Sequence, residues 1–182
     1  AYAAFWKLML YIATGLTVLL SLASLKAERL SIGEYNGFIL LALAGMMVMV
    51  SGADLLTIYL GTELMSLSLY VMAGLKRTEA RSLEASAKYF VLGAFSSGIL
   101  LYGISLLFGL AGSTGLSAIA AAITTHGTGD PLLSMALVLL ALFIFLNGRI
   151  AIWVASGIPI SIMATLGVMG VLGMTLDMIS MF

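Results

Sequence analysis

Two ionisable side chains of this sequence stand inside apolar surroundings, where they could handle protons: Glu63 and Lys88. Glu63 interrupts an apolar stretch from Leu55 to Leu75, with Asp54 just before it and Lys76-Arg77 just after. At roughly 1.5 Å of rise per helical residue, Asp54 to Lys76 covers about 33 Å, close to the roughly 30 Å hydrocarbon core of a bilayer. Glu63 is therefore expected near the midplane. A carboxylate there costs at least about 2.5 kcal/mol, and residues of this kind mark ion or proton pathways more often than structure. The alternative is a carboxylate hydrogen-bonded to Ser66, Ser68 or another helix, serving only to fix packing. For Lys88 the alternative is a side chain snorkelling from the first turns of its helix to the membrane surface.

The remaining candidates read as scaffolding. Asp54 and Glu84 fall at helix starts, where an acid favours the helix dipole, and are expected at the membrane interface. His126 lies in a glycine-threonine loop with no second ligand at metal spacing, which predicts a solvated histidine rather than a metal site. Gly93, Ser97 and Gly98, and later Gly157, Gly167, Gly170 and Gly173, are small enough to let helices approach and are assigned to packing. The twelve methionines are spread through apolar runs as gap fillers. The absence of cysteine excludes disulfides, thiolate metal sites and haem attachment.

These residues must be carried by membrane helices. The chain is 62% hydrophobic and only 9% charged, whereas soluble domains are about a quarter charged. Its apolar runs recur at membrane length, so the fold class is all-α, an integral membrane bundle of about six transmembrane helices. The predicted spans are residues 8–25, 36–50, 55–75, 83–110, 132–146 and 150–174, with Ser82 as the N-cap of the fourth and a short interfacial helix over 116–123. The aromatic and basic cluster Tyr2, Phe5, Trp6 and Lys7 suits a headgroup level. A signal peptide is the other reading of the first span, but its basic residues Lys26 and Arg29 follow the apolar run instead of leading it. The chain starts at Ala1 and not at methionine, which suggests processing or truncation.

If successive helices alternate sides, Lys26, Arg29, Lys76, Arg77, Arg81 and Arg149 share one face, and only Lys7 falls on the other. The positive-inside rule makes that face cytoplasmic. The expectation is a multi-pass protein of a bacterial inner membrane, both termini periplasmic, with the loops around Lys26–Arg29, Lys76–Arg81 and Arg149 in the cytoplasm. No basic patch argues for nucleic acid. Lipid is the expected surrounding.

The strings Tyr59-Leu60-Gly61-Thr62-Glu63-Leu64-Met65-Ser66-Leu67 and Arg81-Ser82-Leu83-Glu84-Ala85-Ser86-Ala87-Lys88-Tyr89-Phe90 resemble two helices of the antiporter-like subunit N of respiratory complex I, the NADH:quinone oxidoreductase. The likeness continues through Gly103-Ile104-Ser105-Leu106-Leu107-Phe108-Gly109 and Gly112-Ser113-Thr114-Gly115, covering about residues 36–140. The resemblance implies a half-channel in which Glu63 pairs with a lysine, here Lys88, and changes its proton affinity as the cation moves. That scheme is physically sound, because desolvation favours a neutral carboxyl and an approaching ammonium favours the charged one. It implies a non-redox subunit without a cofactor of its own, dependent on other membrane subunits. Quinone contact is compatible with the family, but no residue of this chain argues for it. The family's central lysine on the following helix is replaced by Asn147, and the inverted second repeat of such subunits is missing.

From Phe145 through Ser161, and again over Met163–Gly170 and Met178–Phe182, the sequence instead resembles the second and third membrane helices of resistance-nodulation-division efflux transporters. The implied division is residues 1–133, complex I-like, and residues 134–182, efflux-like, as in a fusion or composite of two families or a convergence of helix patterns. The aspartate pair that drives such transporters lies on a helix the chain does not reach, and Asp177 is no substitute for it. Three functions follow: a proton-translocating subunit of a complex I-type assembly, a relative of an efflux transporter, or a structural membrane subunit with an inert Glu63.

Overall fold

A computed structural model describes residues 2–127 and 129–146, which fall almost wholly in one compact unit, Ala1–Phe143. The described residues are helical, in the order α1 (Tyr2–Ala27), α2 (Ile32–Ser51), α3 (Leu55–Ala73), α4 (Ala80–Ala111), α5 (Leu116–His126) and α6 (Pro131–Leu146). The first four are long and apolar enough to cross a membrane. The fold is thus an all-α membrane bundle. The span expected over 150–174, Asn147, Arg149 and the later glycines lie outside the described residues.

The helix ends follow local chemistry. Ser31 caps α2 by accepting a hydrogen bond from the Glu34 backbone N–H at 3.3 Å. Asp54 caps α3 the same way, taking the Thr57 N–H at 2.8 Å and the Thr57 hydroxyl at 2.7 Å. These bonds, the Thr57 hydroxyl first, hold the Asp54 carboxyl below its ordinary 3.8. Gly112 ends α4 in the left-handed region at φ 63°, a conformation that favours glycine. Asp130 opens α6 by accepting from the Leu132 N–H at 2.8 Å, with Pro131 at the first helical position, where its missing N–H costs nothing. The Leu132 bond is also the main reason the Asp130 carboxyl is lowered.

Several expected boundaries move. Ser82 is not an N-cap: α4 starts three residues earlier than expected, at Ala80 after Glu79. The Ser82 hydroxyl instead donates to the Ala73 carbonyl at 2.7 Å, satisfying an acceptor that the end of α3 leaves open. Glu84 therefore lies beyond the first turn of α4. The short helix expected over 116–123 exists as α5, three residues longer, and buries Ile119 against Leu107, Leu133 and Ala136 of α4 and α6.

Two arrangements fix α3. At its start, the turns before α3 and before α5 are joined by backbone hydrogen bonds, Leu55 N–H to Thr114 O at 2.9 Å and Leu116 N–H to Ala53 O at 3.2 Å. Along its length, α2 comes so close that a Cβ added to Gly45 would stand 2.6 Å from the Gly61 carbonyl oxygen, and one on Gly61 would stand 2.8 Å from that of Gly45. Only glycine allows two helix backbones this near each other.

At the other end of α3 the two basic loops meet. Lys76 pairs with Glu28 and, at 3.2 Å, with Glu79, while Arg77 reaches Glu34 at 3.2 Å. The contact with Glu28 is the main reason the Lys76 ammonium is held above its ordinary range. The residues around Lys26–Arg29 and Lys76–Arg81 thus share one end of the bundle, as alternating spans require.

Candidate functional site

Helix α3 carries one polar stripe. Tyr59, Glu63, Ser66 and Tyr70 follow one another at intervals of four, three and four, which keeps them on one side of an α-helix. Glu63 is the ninth of the nineteen residues of α3 and so sits close to its middle. It is half-buried.

The facing stripe belongs to α4. Ser82, Ser86, Gly93 and Ser97 recur at intervals of four, seven and four. Each meets α3, which runs antiparallel to it. Ser86 donates to the Tyr70 carbonyl at 2.6 Å. Tyr70 lies over Gly93, where an added Cβ would stand 1.9 Å from the phenolic oxygen, and its ring makes edge-on contacts with Tyr89 and Phe90 at centroid distances of 4.7 and 5.9 Å. Further along, the buried Ser97 hydroxyl hydrogen-bonds to Glu63 Oε1 and lies 3.2 Å from the Tyr59 hydroxyl. The carboxyl group of α3 is thus held by a hydroxyl of α4 and flanked by a phenol of its own helix.

Glu63 is bonded neither to Ser66 nor to Ser68. Ser68 turns back to the Leu64 carbonyl of its own helix at 2.7 Å, and Ser66 interacts with Tyr70. Lys88 does not meet Glu63 in this structure. Its ammonium pairs with Glu84, one turn earlier on α4, and both side chains are exposed. Helical geometry explains the separation. Lys88 and Ser97 are nine residues apart, about two and a half turns, so they project from opposite sides of α4, roughly 14 Å apart along the axis.

His126 hydrogen-bonds through Nδ1 to Asp130 Oδ2 at 2.9 Å and bridges the loop between α5 and α6. Among the described residues no group of three or more metal-ligating side chains comes together.

Sequence reading assigned Ser97 to packing and passed over Tyr59. The signal was the matched periodicity of the two stripes, which pairs them only once α3 and α4 are taken as antiparallel neighbours. Gly98, grouped with them, meets nothing within 4 Å of an added Cβ and plays no part in the approach.

Four membrane-length helices with a carboxyl group held between two of them define an α-helical membrane protein with a polar point inside its apolar bundle. Residues 52–181 match the family model described as NADH:quinone oxidoreductase/Mrp antiporter, transmembrane. The chain belongs to this family. The match runs on across the stretch expected to resemble efflux transporters, and that likeness gains no support from it. Proteins named NADH-quinone oxidoreductase subunit N are similar over much of the chain. The one from Trichlorobacter lovleyi is 44% identical over 147 residues, 81% of this chain and 29% of its own length. A subunit N 2 from Rhizobium meliloti is 44% identical over 173 residues, 92% of this chain and 36% of its own. The chain therefore spans about a third of these relatives. A chain in the structure of respiratory complex I from Thermus thermophilus with bound aureothin superposes with a TM-score of 0.52 at 26% identity, covering 79% of this chain and 37% of that one.

Proposed function

We propose that this chain contributes to proton translocation as part of a membrane subunit of an NADH:quinone oxidoreductase-type respiratory complex, with Glu63 as the group that takes up and releases the proton. The observation that carries this reading is a carboxyl group at the middle of a membrane-length helix, bridged to a neighbouring helix, in a chain of the antiporter-like family. Relatives named subunit N, about three times as long, support the assembly and its partners: lipid and other membrane subunits that cover the apolar sides of α1 to α4. The subunit itself holds no redox group in this reading, and the complex couples electron transfer elsewhere to charge movement here.

Lys88 enters as a cation whose partner can change. Bound to Glu84, its charge is compensated. Breaking that pair leaves an uncompensated ammonium on α4, the helix bonded to Glu63 through Ser97, and α4 carries the change to the acid. Coupling through α4 replaces the direct contact implied by sequence resemblance, because the two groups stand on different sides of that helix. The end of the bundle that carries Lys26, Arg29, Lys76, Arg77 and Arg81 faces the cytoplasm of a bacterial inner membrane by the positive-inside rule. An efflux-type second part at 134–182 is not carried into this reading.

Glu63→Gln, introduced into the full-length subunit in the assembled complex, is expected to reduce proton uptake by inside-out membrane vesicles at least about tenfold, a loss of about 1.4 kcal/mol or more. Wild-type uptake would contradict the role of Glu63 and favour the structural reading, in which the Ser97 bond merely satisfies a half-buried carboxyl.

A further inference from the structure

Ser97 is positioned to do more than pack. Its hydroxyl carries one hydrogen and two lone pairs, and two oxygens lie beside it, Glu63 Oε1 and the Tyr59 hydroxyl at 3.2 Å. One hydrogen serves only one of them at a time. An ionised Glu63 has no hydrogen to give, so Ser97 must donate to it, and the Tyr59 hydroxyl is then free to donate to Ser97. A protonated Glu63 can donate instead, which releases the Ser97 hydrogen to turn toward Tyr59. The same three oxygens accommodate both states of the acid, and the direction of their hydrogen bonds differs between the two.

We propose that Ser97 is the positioning residue of the Glu63 proton site, and that the row Tyr59–Ser97–Glu63 stabilises both protonation states of the carboxyl group while holding it against α4. This rests on the reading of Glu63 as the proton carrier. Three further observations support it. Ser97 is 8% exposed, so water competes little for its hydrogen bond. Tyr59 and Glu63 are one helical turn apart and share a side of α3, which makes one hydroxyl on α4 reachable by both. The helix is also fixed at this level: Gly61, between the two, is locked against Gly45 of α2, so Tyr59 and Glu63 are presented to α4 from a rigid backbone. Ser97 thereby becomes the point at which α4, the helix that also carries Lys88 and Glu84, is linked to the state of the acid.

The test uses the full-length subunit in the assembled complex, with proton uptake by inside-out vesicles measured across pH and electron transfer followed in parallel. A hydrogen bond to an ionised carboxylate is stronger than one to the neutral acid, so the Ser97 bond favours the ionised state by the difference. Ser97→Ala removes that bond, so the pH of half-maximal uptake should rise by about one unit or more. Ser97→Thr, which restores a hydroxyl at the same carbon, should return the profile to that of the wild type, as no packing role would require. Tyr59→Phe should move it less, because the phenol reaches the carboxylate only through Ser97. If the alanine variant fails to assemble, Ser97→Cys, of similar shape with a weak donor, must show the same upward displacement. An unchanged profile in Ser97→Ala or Ser97→Cys, alongside lost uptake in Glu63→Gln, overturns the role of Ser97 and leaves Glu63 standing. Unchanged uptake in Glu63→Gln overturns both.

Discussion

On its α2 side, α3 touches its neighbour backbone to backbone at Gly45 and Gly61; on its α4 side, hydroxyls, a phenol and a carboxyl group fill the space between the helices. The two sides differ in what can change without repacking. Glycine contact depends on atoms that cannot move apart without losing close packing, so that interface has one arrangement. Hydrogen bonds between side chains can reverse direction or exchange partners while the backbones stay in place. The fixed interface therefore holds the helix, and the polar one is where a proton can be added or removed.

The largest effect should come from breaking the fixed side. In Gly45→Val the first added carbon alone would lie 2.6 Å from both the Gly61 carbonyl oxygen and the Met65 backbone nitrogen. The expected cost is about 3 kcal/mol or more, beyond ordinary overpacking because the obstructing atoms are backbone. Thermal melting of the detergent-solubilised complex should show loss of the folded subunit. A variant that assembles and melts as the wild type does would show that the glycine contact is not what holds α3.

A smaller loss is expected on the polar side. In Gly93→Ala the new methyl meets the Tyr70 phenolic oxygen, at the far end of a side chain that can yield. The cost should be about 1–3 kcal/mol. Adding Tyr70→Phe, which removes the nearest atom, should recover part of it. Equal losses in Gly45→Val and Gly93→Ala would erase the distinction between the two interfaces.

Neither interface was legible in the sequence, although the helices that form them were. The first four spans, and the position of Glu63 near the middle of the third, were legible because membrane length and an isolated acid are local signals. The partner of Glu63 was not, because Ser97 lies thirty-four positions away and becomes its neighbour only through the antiparallel pairing of α3 with α4. Lys88 was matched to Glu63 by resemblance, but two and a half helical turns place it on the far side of α4 from Ser97, beside Glu84. Ser82 has the chemistry of an N-cap and is used at a different helix end, since the open carbonyl of Ala73 lies within reach. Gly45 and Gly61 gave no signal, as a glycine inside an apolar run is common in membrane helices whatever it touches.

The smallest effect should come from acid. The Asp54 carboxyl is held below its ordinary value by Thr57, so its capping contribution is complete above the unfolded value and is lost as the pH falls through the folded one, below about pH 4. Melting temperature should fall slightly over that window, and Asp54→Asn, a cap without a titrating charge, should weaken the dependence. Because this cap lies at the end of α3 where Ala53 and Leu55 bond to the turn before α5, its loss should leave the Glu63 level undisturbed. Proton uptake altered by Asp54→Asn as strongly as by Glu63→Gln would break the separation between the end of the helix and its middle.

In this mechanism Glu63 changes its protonation during turnover. Infrared difference spectroscopy of the assembled complex, before and during electron transfer, observes a protonated carboxyl group directly through its C=O stretch. A carboxyl band should change on turnover, be absent in Glu63→Gln, and be displaced in Ser97→Ala by loss of its hydrogen bond. A difference spectrum in which Glu63→Gln removes no carboxyl signal would contradict this mechanism.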